Sequence, residues 1–224
     1  MIGEIIDGKY LCERILAAAK SSAIFAASIK DGTGAQSGEK LVSVQIEKDV
    51  NDNERFTKEA EVLITMSGNQ HFAKYFSCGV WKEYNYLATE LLGPCLSDLA
   101  RRRASGKLDL FHILKFGYQA FEAFQSLHRT GLMHSAVTAD CFSIGSNAKT
   151  AGIVYLVDFK QMKKINSLVD QDNQQNNSPK SPKIDPQISM QNNLNSNVRY
   201  KPEDDLIQLV YVMAENCENP VFNV

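Results

Sequence analysis

The first part of the chain alternates between short apolar stretches and polar turns, which is the pattern of β-strands. Turn-rich sequences such as DGTGAQSG and WKEY separate neighbouring apolar stretches. Two further short apolar stretches lie in the second half of the chain. The pattern predicts strands at residues 10–16, 23–29, 41–47, 73–80, 85–91, 141–144 and 154–157.

Four other stretches repeat apolar residues every three or four positions, which is the period of an amphipathic helix. They predict helices at residues 53–66, 96–103, 110–129 and 203–215. The residues expected to face the core are Phe56, Ala60, Leu63 and Ile64 in the first helix, Ile113, Phe116, Ala120, Phe121, Phe124 and Leu127 in the third, and Leu206, Leu209, Val210 and Met213 in the last. A strand-rich half with one helix, followed by a helix-rich half, predicts an α+β protein with two lobes.

The sequence changes character between residues 166 and 197. This stretch contains eight Asn, five Gln and five Ser among 32 residues, and no aromatic residue. Such a composition buries too little apolar surface to offset the entropy lost on ordering, so we expect the stretch to be disordered. Ser178 and Ser181 each precede a proline and are candidate phosphorylation sites, with an unmodified linker as the alternative.

Composition and charge exclude several classes of protein. The chain of 224 residues is 44% hydrophobic and 22% charged, which is ordinary for a globular domain. Its net charge of −2 provides no overall positive potential that would attract nucleic acid or an anionic membrane. No apolar run reaches the ~20 residues that span a bilayer, and the acidic N-terminus does not resemble a signal peptide. Five scattered Cys without a C-x-x-C favour a reducing cytoplasmic or nuclear compartment.

Five local motifs follow one another along the chain: ELLGPCLSDL at 90–99, LHRTGLMH at 127–134, YLVDF at 155–159, VRY at 198–200 and DDL at 204–206. Taken in this order, they resemble protein kinases of the casein kinase I group, and most closely the tau-tubulin kinase branch. The resemblance implies a two-lobed kinase-like fold, with an N-lobe and hinge at 1–92. It also implies a partial C-lobe at 93–165 and 198–224, incomplete after the buried central helix, with the stretch 166–197 in place of the activation segment.

The resemblance also locates the positions that hold ATP in a kinase, and several are altered. All three glycines of the phosphate-covering loop are replaced, by Ala17, Ala19 and Ser22, although Ile24 can still cover an adenine. Gln45 replaces the phosphate-binding lysine, so the charge-assisted contact is lost, while the usual partner of that lysine is retained as Glu59. The remaining positions of this degenerate nucleotide site are Ser43, Thr89, Glu90, Leu92 and Ser143, the last of which puts a hydroxyl under the adenine.

The catalytic loop is altered most. In the stretch that matches H-R-D-x-K-P-x-N, Ala136 replaces the catalytic Asp, Thr138 replaces the Lys, and Cys141 replaces the magnesium-binding Asn. A methyl group accepts no proton, and sulfur is a poor magnesium ligand. Asp140 is out of position and is assigned no catalytic role, although it stays open as a substitute base.

The D-F-G motif is preserved in part. Asp158, the metal-binding residue, is retained, but Lys160 replaces the glycine and brings a cation that competes with magnesium. Lys160 is also a candidate partner for Glu59. Phe159, His134 and Leu63 are expected to stack as an apolar spine between the lobes.

These losses favour a pseudokinase that acts as a binding or regulatory scaffold, with no cofactor and with a protein partner such as an active kinase or its substrate. An atypical active serine/threonine kinase is the first alternative. It would need ATP, magnesium, Lys20 or Lys48 in place of Gln45, and Asp140 as the base. A truncated or degenerate fragment without a selected function is the second.

Overall fold

The structure is a computed structural model that describes residues 1–30, 36–48, 54–165 and 200–218. The stretch 166–197, with Ser178 and Ser181, lies outside the described residues. Within the described ranges, no helix is long and apolar enough to cross a membrane.

A curled sheet of six antiparallel strands forms the N-terminal half. Its strands are β1 (Ile5–Ile6), β2 (Tyr10–Ala18), β3 (Ser22–Lys30), β4 (Gln36–Glu47), β5 (Tyr75–Trp81) and β6 (Tyr84–Glu90), in the spatial order β1-β2-β3-β4-β6-β5. Alternating side chains divide between the two faces of the sheet. On β4, Val42, Val44 and Ile46 are buried in one apolar cluster with Tyr10 and Phe25. Ser43 and Gln45 therefore point to the opposite face.

One helix, α1 (Glu54–Thr65), packs against this sheet. Phe56 and Ala60 bury against Leu87 of β6, while Leu63 joins the core of the second half. The helix thus connects the two halves.

The second half is mainly helical, and its core is the larger apolar cluster. Its helices are α2 (Leu96–Arg101), α3 (Leu110–Arg129) and α4 (Pro202–Asn216). Its short strands are β7 (Leu92–Cys95), β8 (Leu132–Met133), β9 (Phe142–Gly145), β10 (Val154–Leu156) and β11 (Lys163–Lys164), which form a three-stranded sheet β10-β9-β7 and a two-stranded sheet β11-β8. The predicted succession of a strand-rich and a helical half is confirmed.

Helix α3 has the bounds that the sequence predicts. The side chain of Asp109, at the N-cap, accepts a hydrogen bond from the backbone N–H of His112 at 3.0 Å. His128 and Arg129 lie in the last turn, where positive charge is favourable.

Three residues that were predicted to face the core are exposed instead. The exposed fractions of Ile64, Phe121 and Val210 are 55%, 46% and 64%, so these predictions are wrong. On α4, Val212 is buried in place of Val210. For Phe121 and Val210, the reason is that α3 and α4 each carry a second apolar sector beside the one that faces the core, and the sequence period fits both sectors. The large hydrophobic residues exposed on these two helices are Leu110, Phe111, Leu114, Tyr118, Phe121, Ile207, Val210 and Tyr211.

All five cysteines are reduced thiols. Cys12 is buried in the N-terminal sheet, and Cys141 and Cys217 are buried in the second half, whereas Cys78 and Cys95 are partly exposed. Burial raises the pKa of the Cys12 and Cys141 thiols, so both stay protonated at neutral pH.

Candidate functional site

One buried carboxylate, that of Asp205, binds the start of the loop between β8 and β9, residues 134–141. Asp205, in the first turn of α4, is fully buried. Its Oδ2 accepts hydrogen bonds from the backbone N–H of His134 and from Nε2 of His128, both at 2.8 Å. Its Oδ1 accepts from the backbone N–H of Ser135 at 2.9 Å and from the hydroxyl of Tyr200 at 2.7 Å. Two of these four donors are consecutive backbone amides at the start of the loop, so Asp205 fixes that start to α4 and, through His128, to the end of α3.

These hydrogen bonds decide the charge state of Asp205. Burial alone would raise the pKa of this carboxyl, but the donors from His128, Tyr200 and the two backbone amides outweigh it, and the net pKa is lowered. Asp205 is therefore a buried carboxylate rather than a carboxylic acid at neutral pH. Its neighbour Gln208 extends the anchor by accepting from the backbone N–H of Val137 at 2.8 Å.

The side chains along this anchored loop offer little chemistry. Ala136 presents a methyl group, and Thr138 is exposed. The Cys141 thiol is buried and donates to the carbonyl of Ala136, with a sulfur-to-oxygen distance of 3.3 Å. Its sulfur also lies 3.3 Å from Oγ1 of Thr138. Cys141 thus closes the loop on itself and stays protonated, so it provides no anionic ligand.

Asp140 belongs to a small polar cluster that the sequence reasoning did not find. Its Oδ1 accepts short hydrogen bonds from the hydroxyl of Ser97 and from the thiol of Cys95, the latter at 3.3 Å. These contacts tie the loop to the start of α2. Cys95 and Ser97 lie at the start of α2, 45 and 43 residues before Asp140. No sequence pattern connects residues of these types at such a separation.

The residues predicted to cover the phosphates lie on the β2–β3 hairpin. Ala17 pairs with Ile24 across the two strands, and Ile24 pairs with Gln45 on β4. Ala17 and Ala19 are exposed, whereas Ser22, Ile24 and Gln45 are partly buried. The structure thus brings Ala17, Ile24 and Gln45 side by side on the face opposite to the core of the sheet. On that face, the neutral side chain of Gln45 occupies the position that the sequence matched to a phosphate-binding lysine.

Lys20 and Lys48 are the predicted substitutes for the lysine that Gln45 replaces. Lys20 is exposed at the tip of the β2–β3 hairpin. Nζ of Lys48 lies 2.9 Å from a carboxylate oxygen of Glu83, in the turn between β5 and β6. Lys48 is therefore paired with a carboxylate beside the β5–β6 turn.

The remaining predicted nucleotide positions follow the connection between the two halves. Ser43 pairs with Thr89 across β4 and β6, and Ser143 pairs with Tyr155 and Cys95 in the small sheet. Leu92 begins β7 and packs against the larger core.

The carboxylate of Glu90 points away from Thr89, because side chains alternate along a strand. Its Oε2 accepts from the backbone N–H of Lys74 at 3.2 Å. Glu90 also lines a cavity of about 470 Å³, together with Leu63 and Tyr155. The carboxylate of Glu90 is thus engaged by the backbone of Lys74.

Asp158 lies just after β10, and a lysine side chain of the same turn lies beside it. Its backbone is in the left-handed region, with φ 66° and ψ 63°. Nζ of Lys160 lies 3.0 Å from its Oδ1. Lys160 thus forms an ion pair with Asp158, and its predicted pairing with Glu59 stays a prediction. Glu59 is half-buried on α1.

The predicted spine is assembled between the halves. Phe159 and His134 are fully buried, with ring centroids 5.7 Å apart. Nε2 of His134 donates to the carbonyl of Val157 at 3.0 Å. Leu63 lies in the same apolar cluster as Phe159. The sequence did not identify Phe72, whose ring stacks on that of Phe159 at a centroid distance of 5.9 Å.

These residues do not fit a magnesium ion. Magnesium requires near-octahedral oxygen ligands, but Oδ1 of Asp158 faces an ammonium group and Cys141 presents a protonated sulfur. In the described part of the chain, no three His, Cys, Asp or Glu side chains group in a way that could hold a metal ion.

Comparison of the three-dimensional structure defines the class of protein. The crystal structure of a kinase domain superposes on 73% of this chain with a TM-score of 0.62, at 16% sequence identity, and the match covers 54% of that kinase domain. The chain therefore has a protein kinase-like fold of the α+β class, as the sequence predicted.

Comparison of the sequence points to particular kinases. The chain is 33% identical over 118 residues to a probable serine/threonine-protein kinase of Dictyostelium discoideum and 28% identical over 105 residues to a putative casein kinase I of Caenorhabditis elegans. The matches cover 53% and 47% of this chain but only 24% and 31% of those two relatives. No family model matches the chain. The chain thus contains a protein kinase-like domain that spans about a quarter to a third of the curated relatives it matches.

Proposed function

We propose that this chain is a pseudokinase of the casein kinase I group, nearest to the tau-tubulin kinase branch, and that it acts by binding proteins in phosphorylation signalling. The motifs at 90–99 and 127–134 support the group, and so does the likeness to a putative casein kinase I. A partner of this kind would be an active kinase or its substrate, in the cytoplasm or the nucleus.

One observation carries the proposal. Asp205 and Gln208 hold the loop 134–141 by its backbone amides, yet that loop presents a methyl group at Ala136. A fold that keeps the support of a catalytic loop without its base is suited to binding and not to proton transfer.

The altered positions serve separate parts of phosphoryl transfer, so their losses combine. Loss of a general base alone typically reduces the rate about 10²–10⁴-fold. Gln45 removes the charge that would clamp the phosphates, and charge clamps contribute reductions of similar size. The protonated thiol of Cys141 and the paired Asp158 leave magnesium without its oxygen ligands.

The proposal predicts weak or absent binding of Mg-ATP. In a thermal-shift titration, micromolar to millimolar Mg-ATP is expected to raise the melting temperature by less than about 1 °C, since stabilisation by a ligand grows as the logarithm of one plus the ratio of ligand concentration to Kd and is small while the concentration stays below Kd. The matched control is Asp158→Asn, which is expected to behave like the wild type. Stabilisation of the wild type by several degrees that Asp158→Asn abolishes would contradict the proposal and favour the active-kinase alternative.

A further inference from the structure

The turn that follows β10 places Phe159 between the two halves of the protein. Asp158 adopts a left-handed backbone, which residues other than glycine rarely do. The chain then makes one 3₁₀ turn over Phe159–Gln161, closed by a hydrogen bond from the Met162 amide to the Phe159 carbonyl at 3.3 Å. The contacts of Phe159 with Phe72 and His134 depend on this turn.

A carboxylate oxygen at the start of the turn is shielded from solvent. Oδ1 of Asp158 has almost no accessible surface and makes no hydrogen bond of good geometry. Nζ of Lys160, at 3.0 Å, is the group that compensates its charge. A shielded anionic oxygen without a cation would be unfavourable. The two side chains as wholes are about two-fifths exposed.

We infer that Lys160 is a built-in cation that takes the position of a divalent metal at Asp158 and sets the 158–161 turn without metal or nucleotide. The same ammonium group closes the carboxylate to magnesium. Lys160 is thus a positioning residue, which acts on Phe159 through the turn. The inference rests on the proposed function, because a chain that binds magnesium at Asp158 would not need this cation.

The test is hydrogen exchange of the full chain, read on the peptide that spans residues 157–163. Lys160→Met keeps the length of the side chain and removes its charge, and we expect exchange in this peptide to become about fivefold faster. Lys160→Arg keeps the charge and is expected to match the wild type. Lys163→Met removes a nearby exposed lysine and is the control for a general loss of charge, with wild-type exchange expected at Val157 and Met162.

Magnesium separates replacement of a metal from simple packing. Wild-type exchange is expected to be the same with EDTA or with about 10 mM magnesium chloride. Because Cys141 supplies no oxygen ligand, this test uses Lys160→Met combined with Cys141→Asn. In that double variant, the same magnesium concentration is expected to restore at least half of the lost protection, and a further Asp158→Asn is expected to abolish the response.

Three results would overturn the inference: wild-type exchange in Lys160→Met, no response of Lys160→Met combined with Cys141→Asn to magnesium, or a wild type that magnesium protects. None of these is a measurement of phosphoryl transfer, so the outcome is distinct from that of the nucleotide test.

Discussion

Replacing Asp205 with Asn is expected to lower the free energy of unfolding by about 3 kcal/mol. Two donors converge on each carboxylate oxygen. An amide offers one acceptor oxygen and one NH₂ group, so in either orientation the backbone N–H of His134 or of Ser135 would face another donor. The measurement is the urea midpoint with its slope.

The control for this change is Glu203→Gln, two residues earlier in the same first turn of α4. It removes the same charge from the same end of the helix, but Glu203 is exposed. A loss below about 1 kcal/mol is expected there, the usual size of a charge effect at a helix N-terminus. Equal losses in the two variants would show that helix electrostatics, and not the anchored loop, is responsible.

The same carboxylate predicts how stability depends on pH. The pKa of Asp205 is lower in the folded protein than its usual value of 3.8. Its contribution is therefore complete above that value and is lost as the pH falls through the lower folded pKa. The difference in urea midpoint between wild type and Asp205→Asn is expected to shrink between about pH 5 and pH 2. A difference that is constant over this range would contradict the assignment of the charge.

The second large effect concerns phosphoryl transfer. We expect no measurable transfer to a casein- or tubulin-type substrate by the wild type or by Ala136→Asp. Restoring the base leaves Gln45 without charge and Asp158 paired with Lys160, and groups that act as a unit are strongly non-additive. The proposed assignments predict activity only in the variant that combines Gln45→Lys, Ala136→Asp, Cys141→Asn and Lys160→Gly.

A radiolabel assay with equal amounts of folded protein distinguishes the outcomes. Activity of the combined variant that a further Asp158→Asn abolishes would support the assigned positions. Transfer by the wild type, lost in Asp158→Asn, would show that the chain is an atypical kinase. In that case Asp140→Asn is the next variant, because Asp140 is the carboxylate that stays open as a substitute base.

The long helix could be predicted from sequence because several signals agree. An unbroken stripe of apolar residues, an N-cap Asp and basic residues in the last turn all mark the bounds of α3. The exposed sides of α3 and α4 could not be predicted, because periodicity locates an apolar sector but does not show whether another element covers it. Phe121 and Val210 fit the period and remain exposed.

The role of Asp205 was missed for a different reason. An Asp in the first turn of a helix is usually explained by the helix dipole, and its donors come from residues that are five to 77 positions away. A signal was nevertheless present. Asp205 lies on the same helical stripe as Leu209 and Val212, which are buried, and an acidic residue on an apolar stripe indicates a buried, hydrogen-bonded carboxylate.

The distribution of the cysteines gives the protein its own reporters of local opening. A thiol reagent attacks the thiolate, so a buried, protonated thiol reacts only after the surrounding structure opens. Cys78 and Cys95 are partly exposed and should be modified first. After both are changed to Ser, the labelling rate of Cys12 would measure opening of the N-terminal sheet, and that of Cys141 would measure opening of the anchored loop. Comparing the two rates would show whether the lobes unfold together or one at a time.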